Sequence, residues 1–229
     1  MTNATRFLNA YAKCENQLTK MLDNPSYIPF SQLISRCAKR SKVVSLNQQA
    51  LREYNELRNA IVHNRGKEEE IIAEPCDSVT EDIERIAKLL CEPSDILKYA
   101  SMPVKVIDMH TRLRDAFNLM QSMHTSKIPV YQDGRYVGIL TLEQLAKVAV
   151  NGNLDTTKIE DILSDDKNTQ ILFVSKSQHV DVVFQYFDQL RDQGLSLLAI
   201  LITENGKQSE KPLGIITIAD LPKILKYYK

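Results

Sequence analysis

The chain has 229 residues, and Lys plus Arg balance Asp plus Glu at 29 each, so no bulk field draws it to nucleic acid and any polyanion must use a local patch. The length suits one large domain or two small ones, each able to bury a core, and two are expected. No run approaches the ~18 apolar residues of a membrane span, and the polar first residues do not read as a signal peptide; a cytoplasmic protein is expected.

The first ninety residues read as helical. Phe7, Tyr11, Cys14, Leu18 and Met21 step by three and four, one face of a helix ending near Asn24-Pro25. Leu33, Ile34 and Cys37 mark a second helix. Ser45 reads as the N-cap of a third, with Ala50, Tyr54, Leu57 and Ile61 on its face and a stop at Gly66. Ser78 followed by Glu81 reads as a capping box opening a fourth helix, which buries Val79, Ile83, Ile86 and Leu90. The charged connector from Gly66 to Glu70 is expected to be a solvated loop. Cys14, Cys37, Cys76 and Cys91 stand singly, without CxxC or zinc-like His spacing, and read as reduced core thiols; no metal site is expected.

In the third helix, Arg58, Asn59 and His63 form a polar cluster beside Arg65. At ~3.6 residues per turn Asn59 and His63 share a face, while Arg58 lies roughly 140° from His63. Such a set can hold an RNA phosphate and move a 2′-hydroxyl proton, or it can simply be an exposed edge complementing the helix C-terminus. The run Arg58-Asn59-Ala60-Ile61-Val62-His63 resembles the signature of the HEPN (higher eukaryotes and prokaryotes nucleotide-binding) superfamily, an Arg, a polar residue and a His a few positions on. The resemblance implies a four-helix bundle. Many members are metal-independent RNases pairing two motifs across a dimer, with Arg58 and His63 then catalytic and Asn59 supporting; others are non-catalytic binding modules.

Pro93 ends the helical part, and the pattern changes. Val104 to Ile107 reads as a strand, Thr111 as the cap of a helix burying Leu113, Ala116, Phe117 and Met120, then come a strand Lys127 to Tyr131, an Asp133-Gly134 turn, a strand Tyr136 to Leu140 and a helix from Leu142. The order recurs. Ile171 to Val174 is a strand, Val180, Val183, Phe184 and Phe187 a helix face, Leu197 to Thr203 a strand, Asn205-Gly206 a turn and Leu213 to Thr217 a closing strand. Gly138-Ile-Leu-Thr141 precedes Gly214-Ile-Ile-Thr217 by 76 positions, whereas the two turn glycines lie 72 apart, so the second hairpin has four extra residues. Two copies of a β-α-β-β-α unit too small to cover their own sheets should pack together and form two related clefts.

Thr217 and Asp220 admit two readings: a hydroxyl and carboxylate for a ribose diol, with helix-start amides for phosphate, or a helix start complemented by its own first turn. Ile128-Pro129-Val130, the Asx-Gly turns and the Gly-Ile-Ile-Thr-x-x-Asp box resemble a tandem pair of CBS (cystathionine β-synthase) domains, a Bateman module. The resemblance implies an adenine-nucleotide site with Thr217 and Asp220 on the ribose and Val104, Lys105, Thr125, Ser126 and Ile128 around the base. Lys223 is either a phosphate partner or merely solvated. In the first copy Gln144 replaces the acid, and Leu197-Leu198 replaces Thr125-Ser126 in the second, so one good site and one weak or vacant site are expected.

The expected fold class is α+β: a HEPN-like helical domain over 1–93 and a CBS pair over 94–229, divided as 94–152 and 153–229. The expected protein is a homodimeric regulator that takes AMP, ADP, ATP or a related dinucleotide as a regulatory ligand, without a cofactor. Its helical domain is either an RNase or RNA-binding unit or a dimerisation and partner-binding module.

Overall fold

The computed structural model describes residues 1–23, 27–63, 73–92, 94–150, 152–163 and 169–228, and the fold is α+β. Its helices are α1 Asn3–Met21, α2 Phe30–Cys37, α3 Lys42–Leu46, α4 Gln48–His63, α5 Asp77–Cys91, α6 Leu113–Ser122, α7 Leu142–Ala149, α8 Asp181–Asp192 and α9 Leu221–Tyr227. Its strands are β1 Lys127–Gln132, β2 Arg135–Thr141, β3 Thr169–Ser175, β4 Ser196–Thr203 and β5 Gly214–Ile216. Two compact units result: Met1–Ser94 with His179–Gln185 and Ile224–Lys229, and Asp95–Gln178 with Tyr186–Lys223.

In the first unit, α1 buries Phe7, Tyr11, Cys14 and Leu18, and α2 buries Phe30, Leu33, Ile34 and Cys37, as their spacing predicts. The predicted third helix is α4, which starts at Gln48, and a short helix that the spacing does not predict, α3, precedes it. Asn47 separates the two: its backbone leaves the helical region (φ −107°, ψ 17°), and its side-chain amide donates back to the Val43 carbonyl at 2.8 Å. Ser45 therefore lies inside α3 rather than capping a helix, its amide bonded to the Ser41 carbonyl. The Ser78 capping box also does not form. The entry to α5 is set from α1, where Asn3 Nδ2 donates to the Pro75 carbonyl (3.1 Å) and Asp77 Oδ1 (2.7 Å), so the helix starts at Asp77 with Cys76 in the cap position. Val79 is half-buried, and the buried Thr80 donates its hydroxyl to the Cys76 carbonyl instead. Cys14 and Cys37 are core thiols, and burial pushes that of Cys14 up to about 12. Cys76 and Cys91 are exposed, since one sits at the helix entry and the other in its last position, beyond the buried stripe. The stops predicted at Asn24-Pro25 and Gly66 and the charged connector lie outside the described residues.

The two C-terminal pieces complete this unit around Asp181, which is 8% exposed. Its carboxylate accepts the hydroxyl of Tyr228 on one oxygen and that of Ser41 (3.1 Å) on the other. Arg85 donates to Asp82, Asn47 and the Tyr228 carbonyl, fixing the chain end to α5.

In the second unit β1 and β2 form a hairpin through Asp133 and Gly134, both with left-handed backbone (φ 49° and 76°), as a two-residue turn of this hand requires. The second sheet has the order β3-β4-β5, with β3 parallel and β5 antiparallel to β4. The strand predicted over Val104 to Ile107 shrinks to one parallel bridge, Ile107 with Val130. Continuing that ladder toward Lys105 would need an amide hydrogen from Pro129, which has none. Leu201, 72 positions after Pro129, has one, and there the ladder runs from Thr169 to Ser175. Thr111 is not the cap of α6, which starts at Leu113; the Thr111 carbonyl accepts the Ile159 amide (3.1 Å), placing it one step outside the helix.

The two copies exchange the segments that precede them. Residues Leu97 to Ser101, ahead of the first copy, lie on β5 of the second, with Ser101 bridged to Ile215. Ile159, Ile162 and Leu163, ahead of the second copy, pack into the core of the first. Gly214 and Gly138 make room for these arms. A Cβ on Gly214 would stand 2.7 Å from the Ala100 Cβ, and one on Gly138 would stand 2.7 Å from Leu163 Cδ2. The four extra residues of the second hairpin reach β1 and β2: the Tyr131 hydroxyl donates to the Glu210 carbonyl (3.2 Å) and the Tyr136 amide to that of Gln208 (3.1 Å). Among the described residues no helix is long and apolar enough to cross a membrane.

Ala100 cannot swing aside as a leucine end can, so Gly214→Ala should destabilise by about 1–3 kcal/mol and Gly138→Ala by less. Urea midpoints at unchanged m-value check this; a larger loss for Gly138→Ala would refute the unequal fit of the arms.

Candidate functional site

β5 ends at Ile216 and leaves Thr217 extended (φ −126°, ψ 176°) ahead of a three-residue 3-10 turn, Ile218–Asp220, that leads into α9. Asp220 Oδ2 accepts the Thr217 amide (2.8 Å) and its hydroxyl (3.1 Å). The first copy repeats the geometry. Gln144 Oε1 accepts the Thr141 amide (2.9 Å) and hydroxyl (3.1 Å), and the Gln144 amide donates to Thr141 Oγ1 (3.2 Å). Both boxes therefore work as helix caps, and the cap uses one oxygen of each side chain.

What remains differs between them. Asp220 keeps a second carboxylate oxygen, Oδ1, which carries a long bond from the Ser101 hydroxyl (3.4 Å). Gln144 has only an NH₂ group left, a donor. Two adjacent ligand hydroxyls need acceptors, and Oδ1 with the lone pairs of Thr217 Oγ1 supplies them at the second box alone. The helix-start amides assigned to phosphate are spent differently: those of Thr217 and Asp220 bond within the turn, and Pro222 has none.

The predicted base-side residues divide. Val104 is half-buried and Lys105 exposed, three and four positions after Ser101 on the arm that reaches Asp220. Thr125 folds its hydroxyl onto the Lys127 carbonyl (3.0 Å), and the Ser126 carbonyl accepts the Leu142 amide (2.9 Å), so by main-chain contact this pair adjoins Thr141. Ile128, 1% exposed, packs in the first copy's core. Lys223 is exposed one turn after Asp220. Ser101 was not singled out from the sequence; a serine ahead of an extended segment carries no local signal, and only the exchanged arm brings it to the carboxylate.

In the helical unit, Arg58 is half-buried with its guanidinium over the Tyr11 ring, 5.9 Å from the centroid, and Nη1 donates to Asn59 Oδ1 (3.2 Å). Burial pushes the Tyr11 phenol above its usual range, and its hydroxyl donates to Asn55 (2.7 Å). The side chain of His63, and Arg65, lie outside the described residues. Among the described residues no group of His, Cys, Asp and Glu is placed to hold a metal ion.

Residues 94–151 match the family model of the CBS domain. The chain carries a CBS domain. The second copy repeats the first in its hairpin and its arm, and its Thr-x-x-Asp box stands where the first has Thr-x-x-Gln. Among solved structures, the chain is similar to the CBS domain pair of protein MJ0100 in complex with 5′-methylthioadenosine and S-adenosyl-L-methionine, at 17% identity and TM-score 0.46, over 60% of this chain and 99% of that one. It is also similar to an uncharacterized conserved protein from Pyrococcus horikoshii, at 20% identity and TM-score 0.44 over 58% and 93%. A hexameric CBS-CP12 protein from bloom-forming cyanobacteria matches at 21% identity and TM-score 0.43 over 57% and 67%. No curated protein matches the chain.

In both boxes the side chain three residues on holds the threonine amide and hydroxyl, so Asp220→Ala and Gln144→Ala should each cost about 0.3–1.5 kcal/mol, and Asp220→Asn, which keeps an acceptor for the Thr217 amide, should cost less. Urea unfolding checks this; a full loss for Asp220→Asn would show that the charge, not the acceptor, holds the turn.

Proposed function

We propose that the CBS pair is a sensor that binds one adenosine nucleotide, AMP, ADP, ATP or a related dinucleotide, as a regulatory ligand rather than a cofactor. The observation that supports this is the unequal pair of boxes, alike in how they hold the threonine amide and hydroxyl but with a spare carboxylate oxygen only at Asp220. In this reading Asp220 and Thr217 take the ribose diol, Ser101 yields its bond to Oδ1 as the ligand arrives, and Val104, Lys105, Thr125 and Ser126 border the base, while Ile128, expected there from the sequence, is buried in the core behind them. Lys223 faces the phosphates.

Calorimetry with AMP, ADP, ATP, 5′-methylthioadenosine and S-adenosyl-L-methionine tests the assignment. Asp220→Ala and Asp220→Asn should both abolish binding, while Gln144→Ala should leave the main site nearly intact. Equal losses at the two positions would defeat it.

We further propose that the helical unit is the effector, a metal-independent ribonuclease active as a cytoplasmic homodimer. This reading rests on the resemblance of the Arg58-to-His63 run, an Arg-x4-His, to the HEPN signature. His63 takes the 2′-hydroxyl proton, the 2′-oxygen attacks phosphorus, and the 5′-oxygen leaves and is protonated, giving a 2′,3′-cyclic phosphate while Arg58 steadies the phosphorane charge. Nucleotide must bind one dimer arrangement better than another to alter the rate. With labelled RNA in chelator, His63→Ala should lose ~10²–10⁴-fold, and Asp220→Ala should keep basal cleavage but lose the response to nucleotide. Identical traces for wild type and His63→Ala would leave the bundle as a non-catalytic dimerisation or partner-binding module.

A further inference from the structure

The chain is neutral overall, yet from residue 24 to 52 it contains five basic residues and no Asp or Glu. The structure gathers most of that charge at one place. A hollow of about 460 Å³ in the first unit is lined by Leu22, Ser35, Arg36, Lys39 and Arg40. Arg52 reaches its edge from α4, donating to Ser35 Oγ at 2.8 Å. Arg36, Lys39 and Arg40 are all exposed, and among the described residues none of the three meets a carboxylate.

Helix-end chemistry does not account for this much charge. α1 and α2 both end here, and Arg40 Nη1 donates to the Met21 carbonyl (3.3 Å) at the end of α1. Each helix C-terminus carries about half a negative charge, so the two offset about one of the four cations. About three positive charges remain facing water. Leu22 and the carbon stems of Arg36, Lys39 and Arg40 line the hollow, and the charged ends of the three basic residues stand at its open rim. Arg36 lies in the last turn of α2, Lys39 and Arg40 in the turn that follows, and Arg52 on α4, so the cations come from three places on the rim and exceed what one phosphate needs.

We infer that this cluster binds the phosphodiester backbone of a single-stranded nucleic acid, without reading its bases. The site is separate from Asp220 and from the Arg58–His63 run, and it holds whether or not His63 cleaves.

The test is fluorescence anisotropy of the full chain with a 5′-fluorescein 12-mer of deoxyuridylate, which has no 2′-hydroxyl to be attacked, and with its ribo form, each over a salt series. Arg36→Gln/Lys39→Gln/Arg40→Gln should weaken both at least tenfold at low salt. It should also flatten the slope of log K against log salt by about 2, since each phosphate contact on a single strand contributes about 0.7. Arg36→Gln/Lys39→Gln spares the bond to Met21 and should flatten the slope by about 1.4. The charge-matched control Lys98→Gln/Lys207→Gln/Lys211→Gln should keep the slope, and excess AMP should not displace the oligonucleotide, which separates this site from the nucleotide reading. No binding by wild type, or equal loss in the control, would overturn the inference. Tripolyphosphate bound through Arg36 and Lys39 with no oligonucleotide binding would overturn the assignment to a strand.

Discussion

The close approach of two exchanged arms to two glycines is the constraint on which the second unit depends. A hairpin and two short helices bury too little to stand alone, and each copy borrows apolar cover from the segment ahead of the other: Leu97 and Ala100 on Gly214, Leu163 on Gly138. Without side chains at those glycines the arms lie close enough for main-chain bonds, as the Ser101–Ile215 bridge shows. The same approach delivers the Ser101 hydroxyl to Asp220. Packing and candidate chemistry thus share one cause, and the residue that completes the box comes from the far end of the unit.

Within this arrangement the two copies have diverged through single atoms. Pro129 has no amide hydrogen where Leu201 has one, and one copy keeps a parallel strand pair while the other keeps a single bridge. Gln144 ends in a donor where Asp220 ends in an acceptor, although both hold the preceding threonine at nearly the same distances. The enlarged second turn is held by Glu210. Its carboxylate accepts the Asn205 amide and side chain (2.8 and 2.7 Å), which draws its pKa down to about 2. Its carbonyl meets Tyr131 of the other copy.

The first unit rests on a different device. Burying a carboxylate is costly unless its lone pairs are met, and Asp181 meets them with hydroxyls from Ser41 and Tyr228, residues 140 and 47 positions away. Phe184 and Tyr228 stack edge to face beside it at 5.6 Å. The sequence places these four residues in three distant segments, and burial of a polar group makes their meeting specific.

Helix faces such as Phe7-Tyr11-Cys14-Leu18, the Asp133-Gly134 hairpin, the duplication and the two Thr-x-x-Asp/Gln boxes were legible in the sequence, because each follows from local geometry: a period of 3.6, a positive φ, a side chain bonding three residues back. Even the loss of the Val104 to Ile107 strand was written locally, in Pro129. The start of α7 at Leu142 was legible too, but three other helix starts were not. Asn3 sets the entry to α5 from 74 residues away, Asn47 ends the short helix that holds Ser45, and Ile159 claims the carbonyl of Thr111. A cap residue offers a bond that any better-placed donor can outbid, so Ser45, Ser78 and Thr111 were each displaced. The second acceptor on Asp220 was determined by the sequence alone; the arrival of Ser101 beside it, and the gathering of Arg36, Lys39, Arg40 and Arg52 around one hollow, were decided by tertiary structure, because a side chain's chemistry is local and its neighbours are not.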